Sequence, residues 1–175
     1  MHQCSLPGRV RRNPARETLD TSGIDHGVGD VGPAMSDHAL RTLLATSDLG
    51  VLATIRRNGR PQLSVVNYDY DDARALVRIS ITDDRAKARN LRRDPRASLQ
   101  VTSPGGGAWA VADGIVELTP VAADPHDDTV EALITHYRDV RGEHPDWDDF
   151  RRAMVADGRV LARLKIDHVY GQPPA

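Results

Sequence analysis

Residues 49–71 read LGVLATIRRNGRPQLSVVNYDYD. Two β-prone runs, Leu49–Ile55 and Gln62–Asp71, flank a polar hexapeptide centred on Asn58-Gly59. Asn-Gly supplies the positive φ angles that a tight hairpin turn demands, so the stretch predicts an antiparallel pair. Further strands follow on either side of short polar breaks. After a turn at Asp71–Arg74, Val77, Ile79 and Ile81 alternate with Arg78, Ser80 and Thr82 over Ala75–Thr82, the period of a half-buried strand. Arg96–Ser103 and Trp109–Thr119 are the next two, with a bulge expected at Asp113-Gly114. Arg159–Tyr170 closes the chain; its apolar parity through Val160, Ala162, Leu164 and Ile166 places His168 on the core side. Helical spacing marks three other segments: Leu40, Leu43 and Leu44 behind a Ser36/Asp37 cap, the stripe Val130, Leu133, Ile134, Tyr137 and Val140 over 129–141, and Trp147, Phe150 and Met154. Five meandering strands, a helical excursion and a sixth returning strand predict a mainly β fold. It is a six-stranded antiparallel β-barrel with flanking helices, whose closure removes exposed sheet edges.

The chain has 175 residues and a net charge of −2, from 23 basic and 25 acidic residues. That length suits one domain. Cys4 stands alone, so no internal disulfide forms. The longest strand-like apolar run, Leu49–Ile55, falls far short of the ~18 residues of a membrane span. A pI of about 6.4 argues against a nucleic-acid coat. These bounds predict a cytoplasmic protein with neither membrane nor nucleic-acid partners. Residues 1–34, rich in Gly and Pro and without apolar period, are expected to be a disordered tail or to precede a true start at Met35; the domain is then 35–175. Gly27–Gly32 fits G-x-G-x-x-G, but no strand precedes it and Pro33 follows. Gly105–Ala110 leads into a strand instead of a helix. Neither supports a dinucleotide fold.

Residues 83–95, DDRAKARNLRRDP, break the local electrostatic rule. Asp83 or Asp84 is placed to cap a short helix and Pro95 to stop it. Within it, Arg85, Lys87, Arg89, Arg92 and Arg93 are unrelieved by any acid. Like charges at i,i+4 repel, and Arg85 and Lys87 occupy a first turn that the helix dipole already makes positive. A bound phosphate resolves the conflict, through free amides and two cations. Arg89, Arg92 and Arg93 read as a solvated face.

The segments GVLATIRRNGRPQLSVVNYDYD, RISITDDRAKARNLRRDPRASL, AVADGIVEL and IDHVYGQPP together resemble the pyridoxamine-phosphate-oxidase-like split-barrel family, in the mycobacterial-type branch that uses the deazaflavin coenzyme F420. The resemblance spans roughly 36–173 and implies a homodimeric six-stranded split barrel with a flavin or deazaflavin at the subunit interface. It gives Arg85, Ala86, Lys87 and Asn90 to the cofactor phosphate and Ser80 and Ile81 to the ribityl chain. Gln62, Val65, Val66 and Asn67 fall along the ring, and Trp109 is a further contact. The resemblance stops short of pyridoxal-phosphate synthesis, since the chain ends HVYGQPPA and not in an Arg-Leu-x-Pro signature.

No nucleophile elbow, metal-spaced histidines or carboxylate pair is visible, which suits an enzyme whose cofactor carries the chemistry. The expected function is hydride transfer from reduced F420 to a small unsaturated or conjugated substrate. An FMN-dependent oxidase or flavin reductase and a noncatalytic cofactor-binding dimer are the alternatives. No catalytic residue is assigned: Tyr68 and Tyr70 are placed to donate a proton, though core packing explains them as well.

Overall fold

The Asn58-Gly59 turn joins β1 (Leu49–Ile55) to β2 (Pro61–Asn67) in the computed structural model, which describes residues 33–174. Gly59 takes φ 79°, and the register runs from Leu49 opposite Asn67 to Ile55 opposite Pro61. The strand expected over Gln62–Asp71 then breaks at Tyr68. Its second part is β3 (Asp69–Asp71), which pairs with β4 (Leu76–Thr82) and not with β1. The break has a packing cause. Tyr68 is 1% exposed, its hydroxyl donates to the Leu44 carbonyl at 2.7 Å, and its amide donates to the Asp48 carbonyl at 3.0 Å. Burial pushes the phenol's pKa up, so it stays a neutral donor.

The result is a seven-stranded antiparallel sheet, not six, in the order β2-β1-β5-β6-β7-β4-β3. A simple meander is corrected as well. Helix α2 (Ala86–Arg93) carries the chain away from β4, so that β5 (Arg96–Thr102) adds to β1 and β7 (Arg159–Gln172) pairs with β4. β6 (Trp109–Leu118) lies between β5 and β7. Edges β2 and β3 are joined through Tyr68 alone, which forces the sheet to curl into a split barrel.

The interior holds Leu52, Leu99, Val77, Ile79, Val160 and Leu164, each no more than 1% exposed. Leu40, Leu43 and Leu44 of α1 (Pro33–Thr46) join that core, as their spacing predicts. A second cluster lies where α3 (Asp128–Arg141) and α4 (Trp147–Ala156) meet β7, around Val130, Leu133, Ile134, Phe150 and Leu161. Asp127 and Asp146 cap these helices by accepting from the amides of Val130 and Asp149. Helix α1 starts ahead of the expected cap, with Pro33 and Ala34 in its first turn. The remainder of the expected tail, with Gly27–Gly32, lies outside the described residues. Gly105 and Gly106, both with positive φ, build the β5–β6 turn. Among the described residues no helix is long and apolar enough to cross a membrane.

The expected bulge falls between β6 and β7, with the extra residue on β7. Gly114 opposes Ile166 and Asp113 opposes His168, leaving Asp167 unpaired. This reverses the parity of β7. Val169 packs on the core, while His168 is exposed and stacks on Tyr170 at 5.6 Å between centroids. The expected core position of His168 is therefore wrong, and one inserted residue is the cause.

A Cβ at Gly114 would stand 1.9 Å from the Lys165 carbonyl oxygen. Gly114→Ala is expected to cost about 1–3 kcal/mol by overpacking. Gly107→Ala, where nothing lies within 4 Å of an added Cβ, is expected to stay within about 0.5 kcal/mol of wild type. Urea unfolding of the two variants checks the contrast.

Candidate functional site

Closing the barrel without a hydrogen-bonded ladder between β2 and β4 leaves a seam, and the seam is a cleft of about 440 Å³. Val65, Val66 and Asn67 line it from β2 and Ser80, Ile81 and Thr82 from β4; Arg85 and Lys87 come from the start of α2, His136 from α3 and Arg159 from the head of β7. Arg159 is there because its backbone pairs with Thr82. The structure thus brings seven of the eleven sequence-predicted residues together: Val65, Val66, Asn67, Ser80, Ile81, Arg85 and Lys87.

The side chains of the four others do not line the cleft. Ala86 is the exposed first residue of α2. Asn90 is buried, and its amide nitrogen donates to Thr54 Oγ1 at 3.1 Å, with Gln62 Oε1 at 3.5 Å. Gln62 in turn donates to Ser64 Oγ at 2.8 Å. Asn90 and Gln62 therefore tie α2 to β1 and β2 beneath the site and do not line it. Trp109 sits on β6, half-buried and edge-on to Tyr170 at 6.1 Å.

The cations of α2 separate into two groups. Arg89 donates to the Asp84 carbonyl, Arg93 donates to the Ile55 carbonyl, and Arg92 pairs with Asp83. The face expected to be merely solvated is thus tethered to the protein. Neither Asp83 nor Asp84 caps the helix. Asp84 accepts from Thr82 Oγ1 at 2.8 Å, and the N-cap is Arg85, which makes no side-chain capping bond. Arg85 reaches Thr82 Oγ1 at 3.3 Å and Asp84 at 3.7 Å through Nε alone. Lys87 has no hydrogen bond or ion pair among the described residues. Burial first, then Arg85 and Arg159, lower its pKa. Arg159 itself is partly neutralised by Asp157 at 3.1 Å. One end of the cleft is therefore a cation cluster with uncapped helix amides, the chemistry of a phosphate cradle.

The cleft is also lined by a histidine that the sequence reading passed over. His136 is 7% exposed, and its Nδ1 is held by Asp69. Arg78 Nε donates to the same carboxylate at 2.8 Å, and Arg78 also pairs with Asp139 at 2.6 Å. The available signal was position: His136 lies three residues after Leu133 on the apolar stripe of α3. Thr82 and Arg159 carried no local signal, because only the β4–β7 pairing brings them in.

A smaller cavity of about 240 Å³ adjoins the cleft and shares Asn67, Ser80, His136 and Arg159 with it. Its other walls are largely apolar, with Leu133, Tyr137, Val140, Phe150 and Met154 from α3 and α4.

A family model described as pyridoxamine 5'-phosphate oxidase matches residues 36–172. Among solved structures, an F420 reductase is 23% identical, covering 74% of this chain and 94% of that one with a TM-score of 0.57. A conserved hypothetical protein from Mycobacterium tuberculosis is 22% identical over 83% and 88%, with a TM-score of 0.62. A heme storage protein from Vibrio cholerae is 14% identical over 78% and 94%, with a TM-score of 0.58. Similarity at these identities shows the shared fold.

The lowered pKa of Lys87 makes a stability prediction. A lysine whose folded pKa lies below the unfolded ~10.4 releases protons on folding, so its penalty is full below the folded value and fades as pH rises past the unfolded one. Lys87→Met is expected to be the more stable protein at neutral pH, by less than about 1 kcal/mol for so solvent-screened a group. The gap closes as pH rises toward that of free lysine. Added inorganic phosphate favours wild type. Thermal melts across pH, with and without phosphate, test this; a gap that ignores both would contradict it.

Proposed function

This chain belongs to the pyridoxamine 5'-phosphate oxidase family, and from that premise we propose that it is an F420H2-dependent reductase acting on a small unsaturated or conjugated substrate. The observation that carries the reading is Lys87, a cation in the seam of the barrel with no counter-charge among the described residues. The similarity to an F420 reductase supports the choice of deazaflavin.

A phosphate-bearing cofactor fits the residues present. Arg85, Lys87 and the first amides of α2, Ala86 among them, hold the phosphate. Ser80 and Ile81 border the adjoining chain, and the Val65–Asn67 end of β2 borders the ring. When bound, reduced deazaflavin supplies a hydride. The protein's part is to fix the phosphate, orient the ring along the seam and keep water from it, through the buried side chains of Val66 and Ile81.

The working unit is a homodimer. Leu49, Leu63 and Val65 are 55%, 64% and 68% exposed on the outer face of β1 and β2. Cross-strand pairing sets Val65 against Val51 and Leu63 against Ala53. A second copy covering this apolar face would shield the open side of the cleft beside Val65.

Titration of the full chain with oxidised F420 and, separately, with FMN tests the assignment. F420 is expected to bind wild type, and Lys87→Ala to weaken it at least about tenfold, as loss of a charged hydrogen bond predicts. Equal affinities would remove Lys87 from the phosphate site. Binding of FMN alone gives the flavin alternative. F420 binding with no oxidation of F420H2 by any conjugated acceptor gives a noncatalytic binder.

A further inference from the structure

Reduction of a conjugated alkene needs more than a hydride. Once the hydride has added to one carbon, an electron pair remains on the substrate, delocalised toward its electron-withdrawing group, and one proton must quench it. We propose that the acceptor lies in the apolar cavity between β4, α3 and α4, and that His136 gives it that proton; this rests on reading the cleft as the cofactor site.

Three observations carry the assignment. The first is position. His136 lines both cavities, so a substrate in the smaller one touches the imidazole and also borders the cleft through Asn67 and Ser80. The second is the state of the ring. Nδ1 is engaged by Asp69, and Nε2 has no hydrogen-bond partner among the described residues, which leaves that nitrogen free to exchange a proton with a bound acceptor. Asp69 is itself fixed by Arg78, so the imidazole is held in one orientation. The third is size and polarity. The cavity measures about 240 Å³. The walls of Leu133, Tyr137, Phe150 and Met154 suit a flat, uncharged, single-ring acceptor. Arg159 and Asn67 at the junction suit its carbonyl oxygen.

The charged groups around His136 are Asp69 from β3, Arg78 from β4, Asp139 on α3, Arg159 from β7, Arg141 in the smaller cavity, and Arg85 and Lys87 in the cleft. In the balanced step, the reduced cofactor gives two electrons and one hydrogen as hydride. The Nε2–H bond breaks as the second C–H bond forms on the acceptor. Solvent returns a proton to Nε2, matched by the proton that oxidation of F420H2 would release along with its hydride, so no net acid or base forms. The acceptor gains two hydrogens, and the cofactor leaves oxidised.

Cyclohex-2-enone is the probe, added to the full chain saturated with oxidised F420. The Met154 methyl resonance is expected to shift on its addition; an unmoved resonance would overturn the placement. With F420H2, a general acid at this position makes wild-type turnover fall on the alkaline side. His136→Gln should lower kcat about 10²-fold or more, as loss of a general acid does, and should abolish that limb, with cofactor affinity within about twofold of wild type. Asp69→Asn loosens the contact that fixes the ring and is expected to lower kcat with the alkaline limb retained, whereas His136→Gln loses the limb itself. An alkaline limb that persists in His136→Gln, or probe binding without wild-type turnover, would overturn the proposal. Failure of wild type to bind either cofactor is a separate result, which would bring down the reading of the cleft itself.

Discussion

Tyr68 separates β2 from β3, and those two strands are the opposite edges of the sheet. One buried residue, anchored by its hydroxyl to Leu44 and by its amide to Asp48, thus commits the whole sheet to curl. The seam that results has no backbone ladder across it. It is walled instead by the side chains of β2 and β4, and that is where the cleft forms. Tyr68 does no chemistry, yet each wall of the site depends on it.

Electrostatics then gives the cleft a direction. Five cations over residues 85–93 would repel, and three of them are tethered locally, Arg89 and Arg93 to carbonyls and Arg92 to Asp83. The two at the start of the helix are left to face the seam, where Arg159 adds a third charge. Asp84 and Asp157 offset part of this charge, and Lys87 has no counter-charge among the described residues. The Asp69–His136 pair faces an apolar chamber.

Much of this was legible in the sequence because it is local. The Asn58-Gly59 hairpin, the alternation in β4, the stripe of α3 and the charge anomaly of α2 all depend on neighbours a few residues apart. What escaped was long-range. Nothing between Gln62 and Asp71 announces that Tyr68 will leave one strand partner for another. The parity of β7 pointed His168 inward until Asp167 was inserted opposite β6. Asn90, given to the phosphate by resemblance, is consumed by Thr54 and Gln62, and Arg159 reaches the site only through its pairing with Thr82. His136 was visible as a polar residue on an apolar stripe, but its meaning required Asp69, 67 residues away.

Whether the seam is the cofactor site is tested most directly by hydrogen exchange of the full chain with and without oxidised F420. The geometry predicts protection in two places distant in sequence at once, the Asn67 end of β2 and residues 80–87 across β4 and the start of α2. Protection confined to the outer sheet face, or to the β5–β6 turn near Trp109, with the seam unchanged, would contradict it.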